Sequence, residues 1–516
     1  MTTESLTGRA FHLHPLSIPY RLLEQGVGLV VAAVFIGGSA FGAVAGTLGV
    51  TLAIGLAVVL AAGVVGYAVA YYRRFEYELT ADTFDIRSGV FGRREREIPL
   101  HRIQNVDISQ NVVQRALGIA EIRLETAGAS GAEAQLKFVG VDRANQLQGE
   151  ISRLRRAGDD GDEAADAEFE TVFEISDREL GLLALTSADA QLIPLLFLGV
   201  SVFMPALGSL FGVEWLSFVP GPGLGRVFGA LLSVVGILLF AVVYGAINAA
   251  TYYGFTLRRA PQEMRYERGL LQQYSGTIPL SKVQSLTIRE NVLARALGYA
   301  SLDIETAGQS GGEGNSGGSQ SAVPLAERSR VLELTNSVEA VGDLSFERPP
   351  KRARERYAVR YAIVVAVVVA LLYLIQRVAG ITLYWWVPLF VLLLVPLAAH
   401  LKWKSRGYHL GEDHVVTRNG FWVQELKIVP YYRVQTVLST ETVFQRRRRL
   451  GTVTVDTAGA RSLTNDDARA VDVADDTTEQ LREAVGERLY DSLRRRRAGA
   501  DHRDVGDTPS ENGDPS

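Results

Sequence analysis

His409, Glu412, Asp413 and His414 form the one cluster in this 516-residue chain with the residue types of a metal site. A zinc pair on a helix needs histidines four apart so that both imidazoles leave one face. These two lack that spacing and fall where the alternation of apolar residues reads as strand and turn, so no metal is expected. The glycine-rich stretch 311–318 lacks the lysine and the strand-to-helix setting of a phosphate loop. Cysteine is absent, which excludes thiolate nucleophiles, disulfides, Cys-ligated zinc and iron–sulfur clusters. No serine elbow or paired-carboxylate pattern occurs, so neither a cofactor nor an enzymatic activity is expected.

The polar residues that recur are of another kind. Arg102, Lys282 and Arg433 each precede an Ile/Val-Gln pair, and Arg115, Arg295 and Arg446 each occupy one place in a short helical stretch. Two readings fit them. They face anionic headgroups, each contributing ~1 kcal/mol close to a charged leaflet, or they pair with Glu125, Glu305 and Asp456 on the next strand and fix the fold. Gln104, Gln284 and Gln435 recur as well, and a Gln at such a bend satisfies backbone groups or touches a ligand. The run Arg446, Arg447, Arg448, Arg449 is a further candidate for lipid contact. Arg494 to Arg497 end an apparent helix, Thr478 to Arg497, where cations complement the helix dipole. The net charge of −4 gives no sign of a nucleic-acid partner.

These recurrences belong to a threefold internal repeat. IPLHRIQNVDISQNVVQRALGIAEIRLETAG (Ile98 to Gly128) and IPLSKVQSLTIRENVLARALGYASLDIETAG (Ile278 to Gly308) align without a gap. A third copy, VPYYRVQTVLSTETVFQRRRRLGTVTVDTAG (Val429 to Gly459), is read with two extra arginines before Leu450 and a shorter strand. Upstream, an aromatic-x-Leu (Tyr77 to Leu79, Phe255 to Leu257, Tyr408 to Leu410) precedes a glycine, Gly89, Gly269 or Gly420. Two bulky apolar residues follow that glycine, which reads as a hairpin turn. Alternation through Ile103, Val106 and Ile108 gives way to helical spacing at Val112, Val113, Ala116 and Leu117, closed by Gly118. Leu147, Ile151 and Leu154 then mark an amphipathic helix over Arg143 to Arg156. Each copy is therefore a β-meander, a short inserted helix, more strands and a closing helix.

Six apolar runs (25–44, 48–70, 190–210, 227–249, 358–376 and 383–401) approach the ~20 residues needed to cross a bilayer, and they come in pairs. Arginines and lysines crowd outside the hairpin tips, at Arg73, Arg74, Arg258, Arg259, Lys351, Arg352, Lys402 and Lys404, which predicts cytoplasmic termini and soluble domains. The runs are almost free of ionisable residues, which argues against an ion-coupled transporter.

The I-P-x-x-[RK]-[IV]-Q-x-[VL] stretch, the R-x-L-G before a strand and the T-A-G turn resemble the bacterial pleckstrin-homology-like domain of the YdbS/YdbT-like membrane proteins, domain of unknown function 304. The resemblance implies membrane α-helical hairpins plus α+β soluble domains: three pleckstrin-homology (PH)-like β-barrels, each capped by a helix. The predicted organisation is hairpin 1 in 1–72, PH-like domain 1 in 73–156, an acidic linker and amphipathic segment in 157–189, and hairpin 2 in 190–252. PH-like domain 2 follows in 253–345, then a basic linker with hairpin 3 in 346–404, PH-like domain 3 in 405–497 and a disordered tail in 498–516. The expected role is a multi-pass cell-membrane scaffold or sensor of membrane state binding lipid headgroups. The alternative is a protein-interaction or self-association module.

Overall fold

The computed structural model describes residues 7–21, 47–126, 132–160, 169–187, 224–307, 319–379, 385–458 and 467–504. Its contacts gather into two compact units. One comprises Met1–Glu174, Ala250–Ser281 and Gly308–Gly312; the other comprises Ile175–Ala249, Lys282–Ala307 and Glu313–Ser516. The division passes through the second repeat, between Ser281 and Lys282.

In the first unit, β1 (Arg9–His12), β2 (Glu76–Leu79), β3 (Thr83–Ser88) and β4 (Arg94–Pro99) form an antiparallel sheet in that order. β5 (Ile103–Asn111), β6 (Ile119–Thr126) and β7 (Ala132–Gly140) continue the repeat, and the helix Val141–Asp160 closes it. Alternation puts Tyr77, Leu79, Phe84, Ile86 and Ile98 of the meander in one core with Val106, Ile108, Ile122, Leu124 and Leu136, under Leu147 and Ile151 of the closing helix. β5 does not end its sheet. It pairs with β11 (Gln272–Pro279) of the next repeat, which continues through β10 (Glu263–Arg268) and β9 (Thr256–Arg259) to β8 (Glu170–Glu174), giving seven strands.

The second unit repeats the scheme. β12 (Val283–Asn291), β13 (Tyr299–Thr306) and β14 (Ser319–Glu327) join β17 (Val423–Pro430), β16 (His414–Asn419) and β15 (Gly407–Leu410) through a β12–β17 seam. β18 (Val434–Thr440), β19 (Leu450–Thr457) and β20 (Ala468–Ala474) form the last sheet. They share a core with Tyr408, Val415, Val429 and Tyr431 beneath Leu481 and Val485 of the helix Asp475–Asp504. That helix takes in the first residues of the predicted tail; 505–516 lie outside the described residues. β1 and β8 were not foreseen, because each is short and precedes an apolar run by a stretch with no clear period.

The turn glycines carry the predicted strain. Gly89, Gly269 and Gly420 have φ of 114°, 111° and 86°, and a Cβ on any of them would collide with the carbonyl oxygen three residues on. The inserted helices start at side-chain caps. Asn111 and Gln114 form a capping box, as do Thr442 and Gln445, and Asn291 accepts from the Ala294 N–H. Those caps correct the reading of the third repeat: Thr442 matches Asn111 and Leu450 matches Ile119 with no extra residues. Arg449, at φ 51°, takes the left-handed position of Gly118 and Gly298. The aromatic-x-Leu alignment also moves by two residues in the second repeat, since Arg259 pairs with Met264 as Leu79 pairs with Phe84.

Of the apolar runs, 25–44 and 190–210 lie outside the described residues. Thr47–Arg74 and Leu224–Tyr252 are helices of 28 and 29 residues, and Arg352–Ala379 is one of 28. Among the described residues three segments are long and apolar enough to cross a membrane: Val235–Tyr252, Arg352–Val378 and Val387–Lys404. The last is not one α-helix. Val387–Leu394 is 3₁₀ and Val395–Lys404 is α. Pro396 has no N–H to give to the preceding turn, so the ladder tightens ahead of it. Ala353 and Tyr357 pack with Ala399, which places the start of the one segment beside the end of the other.

Candidate membrane interface and domain seams

The β-hairpin tips of the first two repeats bond to the ends of long apolar helices. The Leu270 and Gly269 N–H groups donate to the Ala250 and Tyr253 carbonyls, both at 2.8 Å. In the first repeat Arg74 donates to the Val90 carbonyl at 2.7 Å, and Phe91 stacks on Tyr67 at 6.2 Å. Glycine forces the tip residues outward, leaving Phe91 95%, Leu271 59% and Trp422 53% exposed. A soluble protein rarely exposes such large apolar residues to water.

Each seam brings an inserted helix onto the next repeat's tip. Arg115 donates to the Leu270 carbonyl at 2.8 Å, and Arg295 donates to the Phe421 carbonyl at 3.2 Å and to Gln424 at 2.9 Å. The Val292 N–H donates to the Trp422 carbonyl. Arg115 and Arg295 therefore clasp the turn of the following repeat, while Glu305 is held by Ser285 (2.6 Å) and Lys427 (2.7 Å). Beside the clasp, Val113, Leu117, Leu293 and Leu297 are exposed and extend the apolar surface of the tips.

The remaining recurrent residues are placed apart from this clasp. Arg102 is exposed, Lys282 is half-buried, and Arg433 lies over the Tyr432 ring at 4.8 Å. Gln284 donates to the Lys282 carbonyl, a backbone-satisfying role, whereas Gln435 is exposed. Within the arginine run Arg446 approaches Glu441 (3.7 Å), Arg448 pairs with Glu355 (2.6 Å), the Arg449 carbonyl accepts from Arg352, and Arg447 is exposed. The His409 cluster is spoken for in part: His409 Nδ1 meets the Ser345 carbonyl at 2.8 Å and Asp413 pairs with Arg495 at 2.8 Å. Among the described residues no group of three His, Cys, Asp or Glu is positioned to hold a metal.

Both seams bury polar side chains. Across β5–β11, Asn105 donates to Asp107 at 2.9 Å and accepts from the Thr277 N–H, and Gly276 leaves the room that Asp107 and Tyr266 fill. Burial, reinforced by the neighbouring Glu125 carboxylate, pushes Asp107 up to about 7. Across β12–β17, Arg289 bridges Asp303 and Glu425 beside the Ser285–Glu305–Lys427 group.

A third arrangement went unnoticed in the sequence. A bulge in the last strand of each repeat aims one residue at the helix that precedes or begins that repeat's first apolar run. Phe138, at φ 70°, packs on Tyr20 at 5.0 Å, and Leu325 joins Leu182 and Leu183. In the third repeat this residue is Asp472, fully buried at φ 62°. It pairs with Arg356, accepts from Arg406 (3.0 Å), Tyr357 (2.6 Å) and Gln445 (2.9 Å), and so ties two membrane segments to the domain. An aspartate with no counterpart in the other copies gives no repeat signal.

The family model described as bacterial PH domain matches residues 28–155, 197–341 and 359–489. The UPF0699 transmembrane protein YdbT of Bacillus subtilis (strain 168) is 25% identical over 409 residues, 76% of this chain and 81% of that protein. The UPF0699 transmembrane protein YdbS of the same organism is 30% identical over 89 residues, 17% of this chain and 54% of that protein. No solved structure matches. Three family matches covering most of the chain, on meanders, inserted helices and closing helices that recur with the repeat, establish that this membrane protein belongs to the bacterial PH domain family.

Proposed function

We propose that the chain is a non-enzymatic membrane scaffold. Three two-helix hairpins hold three helix-capped PH-like barrels against the cytoplasmic leaflet, with β1 and β8 added to the domain limits predicted from the sequence. The observation that carries this reading is the bonding of the first two β-hairpin tips to the ends of long apolar helices, with Phe91, Leu271 and Trp422 left bare at all three tips. Tips and short inserted helices then sit in the headgroup layer, and the exposed Arg447, at the end of the third inserted helix, supplies charge that favours anionic lipid. Basic residues at the soluble ends of the spans, among them Arg73, Arg74, Lys402 and Lys404, support the cytoplasmic side. Tethering makes weak sites effective, because headgroups are at high local concentration.

The test is tryptophan quenching by brominated lipid. With the other four tryptophans replaced by Phe, Trp422 reports alone. In reconstituted vesicles it is expected to be quenched by lipid brominated near the headgroup, more strongly when anionic lipid is present. Arg447→Glu should weaken the anionic preference. An unquenched Trp422 sinks the interfacial reading, and an unchanged preference sinks the lipid role of Arg447.

A further inference from the structure

Within this chain the second half of one repeat is completed by the first half of the next, twice over: β5 takes β11 and β12 takes β17. Among the described strands the same scheme leaves two edges open, β4 at the start and β18 at the end. Exposure follows pairing. Glu95, Arg96 and Glu97 of β4 are exposed, whereas their counterparts Ser275, Gly276 and Thr277, or Leu426, Lys427 and Ile428, are buried or half-buried. On β18, Leu438 is 47% exposed at the position of Asp107 and the buried Thr287. β4 carries the alternating charges that often blunt an edge, but β18 (VQTVLST) has no charge, proline or glycine to protect it.

We infer that β18 of one copy pairs antiparallel with β4 of a second copy, so that the chain assembles head to tail. The register follows from the two internal seams and sets Arg94 opposite Thr440, Glu95 opposite Ser439 and Arg93 opposite Glu441. The side chains agree with it. Ser285, Glu305 and Lys427, bonded at 2.6 and 2.7 Å across the second seam, are matched by Thr436 and Asp456 from the β18 side and Arg96 from the β4 side. Arg446, 74% exposed, stands where Arg115 and Arg295 clasp the next turn, and its acceptor is the Val90 carbonyl of the second copy, whose second lone pair it takes beside Arg74. The interface is heterologous, so copies close into a ring or extend as a row. This assembly does not depend on the lipid contact proposed above.

The absence of native cysteine makes the test direct. Full-length chains carrying Arg94→Cys and Thr440→Cys are oxidised in membranes. A ladder of dimers and higher multiples is expected from the double variant, and a heterodimer from two differently tagged single variants mixed together. Arg96→Asp should lower the yield roughly tenfold and Asp456→Arg should restore it in the double exchange. Thermal unfolding of each variant separates a folding defect, and a variant that fails to unfold cooperatively is replaced by Arg96→Gln, for which a roughly threefold loss is expected. A monomer alone, a disulfide within one chain, adducts only with other proteins, or an undiminished ladder in the Arg96 variants overturns the inference.

Discussion

Replacing Asp472 tests how the third domain is held to its membrane segments. Its carboxylate is fully buried and serves Arg356, Arg406, Tyr357 and Gln445 together. Removing one partner of a buried charge network typically costs 3–5 kcal/mol, because the cations left behind are neither hydrated nor paired. Asp472→Ala should therefore destabilise by about 4 kcal/mol. Asp472→Asn keeps the shape but loses the charge, and should cost about 2 kcal/mol. The backbone supplies an internal control. At φ 62° an L side chain is strained by about 1 kcal/mol, which glycine relieves, so Asp472→Gly should be the more stable of the two truncations by that amount. The assay is chemical or thermal unfolding of the purified chain in one detergent, followed by limited proteolysis of the third domain. A loss below 1 kcal/mol for Asp472→Ala, or no advantage of Gly over Ala, would falsify the idea that this joint is tightly desolvated and strained.

Gly269→Ala should lower stability by at least about 2 kcal/mol in the same unfolding assay, since the turn must open to admit a Cβ and its strand carries the seam. Asp107 sets a pH dependence. Its folded value is raised to about 7 and its unfolded value is near 3.8, so the native state holds the extra proton and stability falls as pH rises between these limits. Asp107→Asn should flatten that slope and be stabilising at pH 8, as read by thermal shift across pH 4 to 9; an unchanged slope would reject a desolvated carboxyl in the seam. Arg295→Ala should cost about 1–2 kcal/mol through its lost bonds to Gln424 and the Phe421 carbonyl, whereas Arg102→Ala should stay within about 0.5 kcal/mol. Equal effects would mean the clasp is energetically idle.

Features governed by local period were legible in the sequence. The turn glycines, the switch from alternation to helix at Val112 and the closing helix at Leu147 and Ile151 each depend on neighbours within a few residues. Which strand edge meets which does not. The recurrence of Arg115 and Arg295 is plain, but a backbone carbonyl 155 or 126 residues away leaves no trace in residue type, so residue type alone points to a lipid or a nearby carboxylate. Arg449 misled in another way: an arginine filling a left-handed position hides the correspondence with Gly118 and suggests an insertion. Asp472 had no repeat to announce it. Apolar character marked the run 383–401, but the shift from 3₁₀ to α depends on where Pro396 falls within it.

The seams also govern how the chain is made. β5 leaves the ribosome about 160 residues before β11, so at 5–20 residues per second its edge waits roughly 10–30 s for a partner. In that interval the two apolar runs between them, 190–210 and 227–249, must be delivered to the bilayer. Closure of the seam thus comes only after the second membrane passage has been synthesised, and a stalled insertion would leave a β-rich edge bare on the nascent chain, where quality-control proteases and chaperones could read it as unfinished.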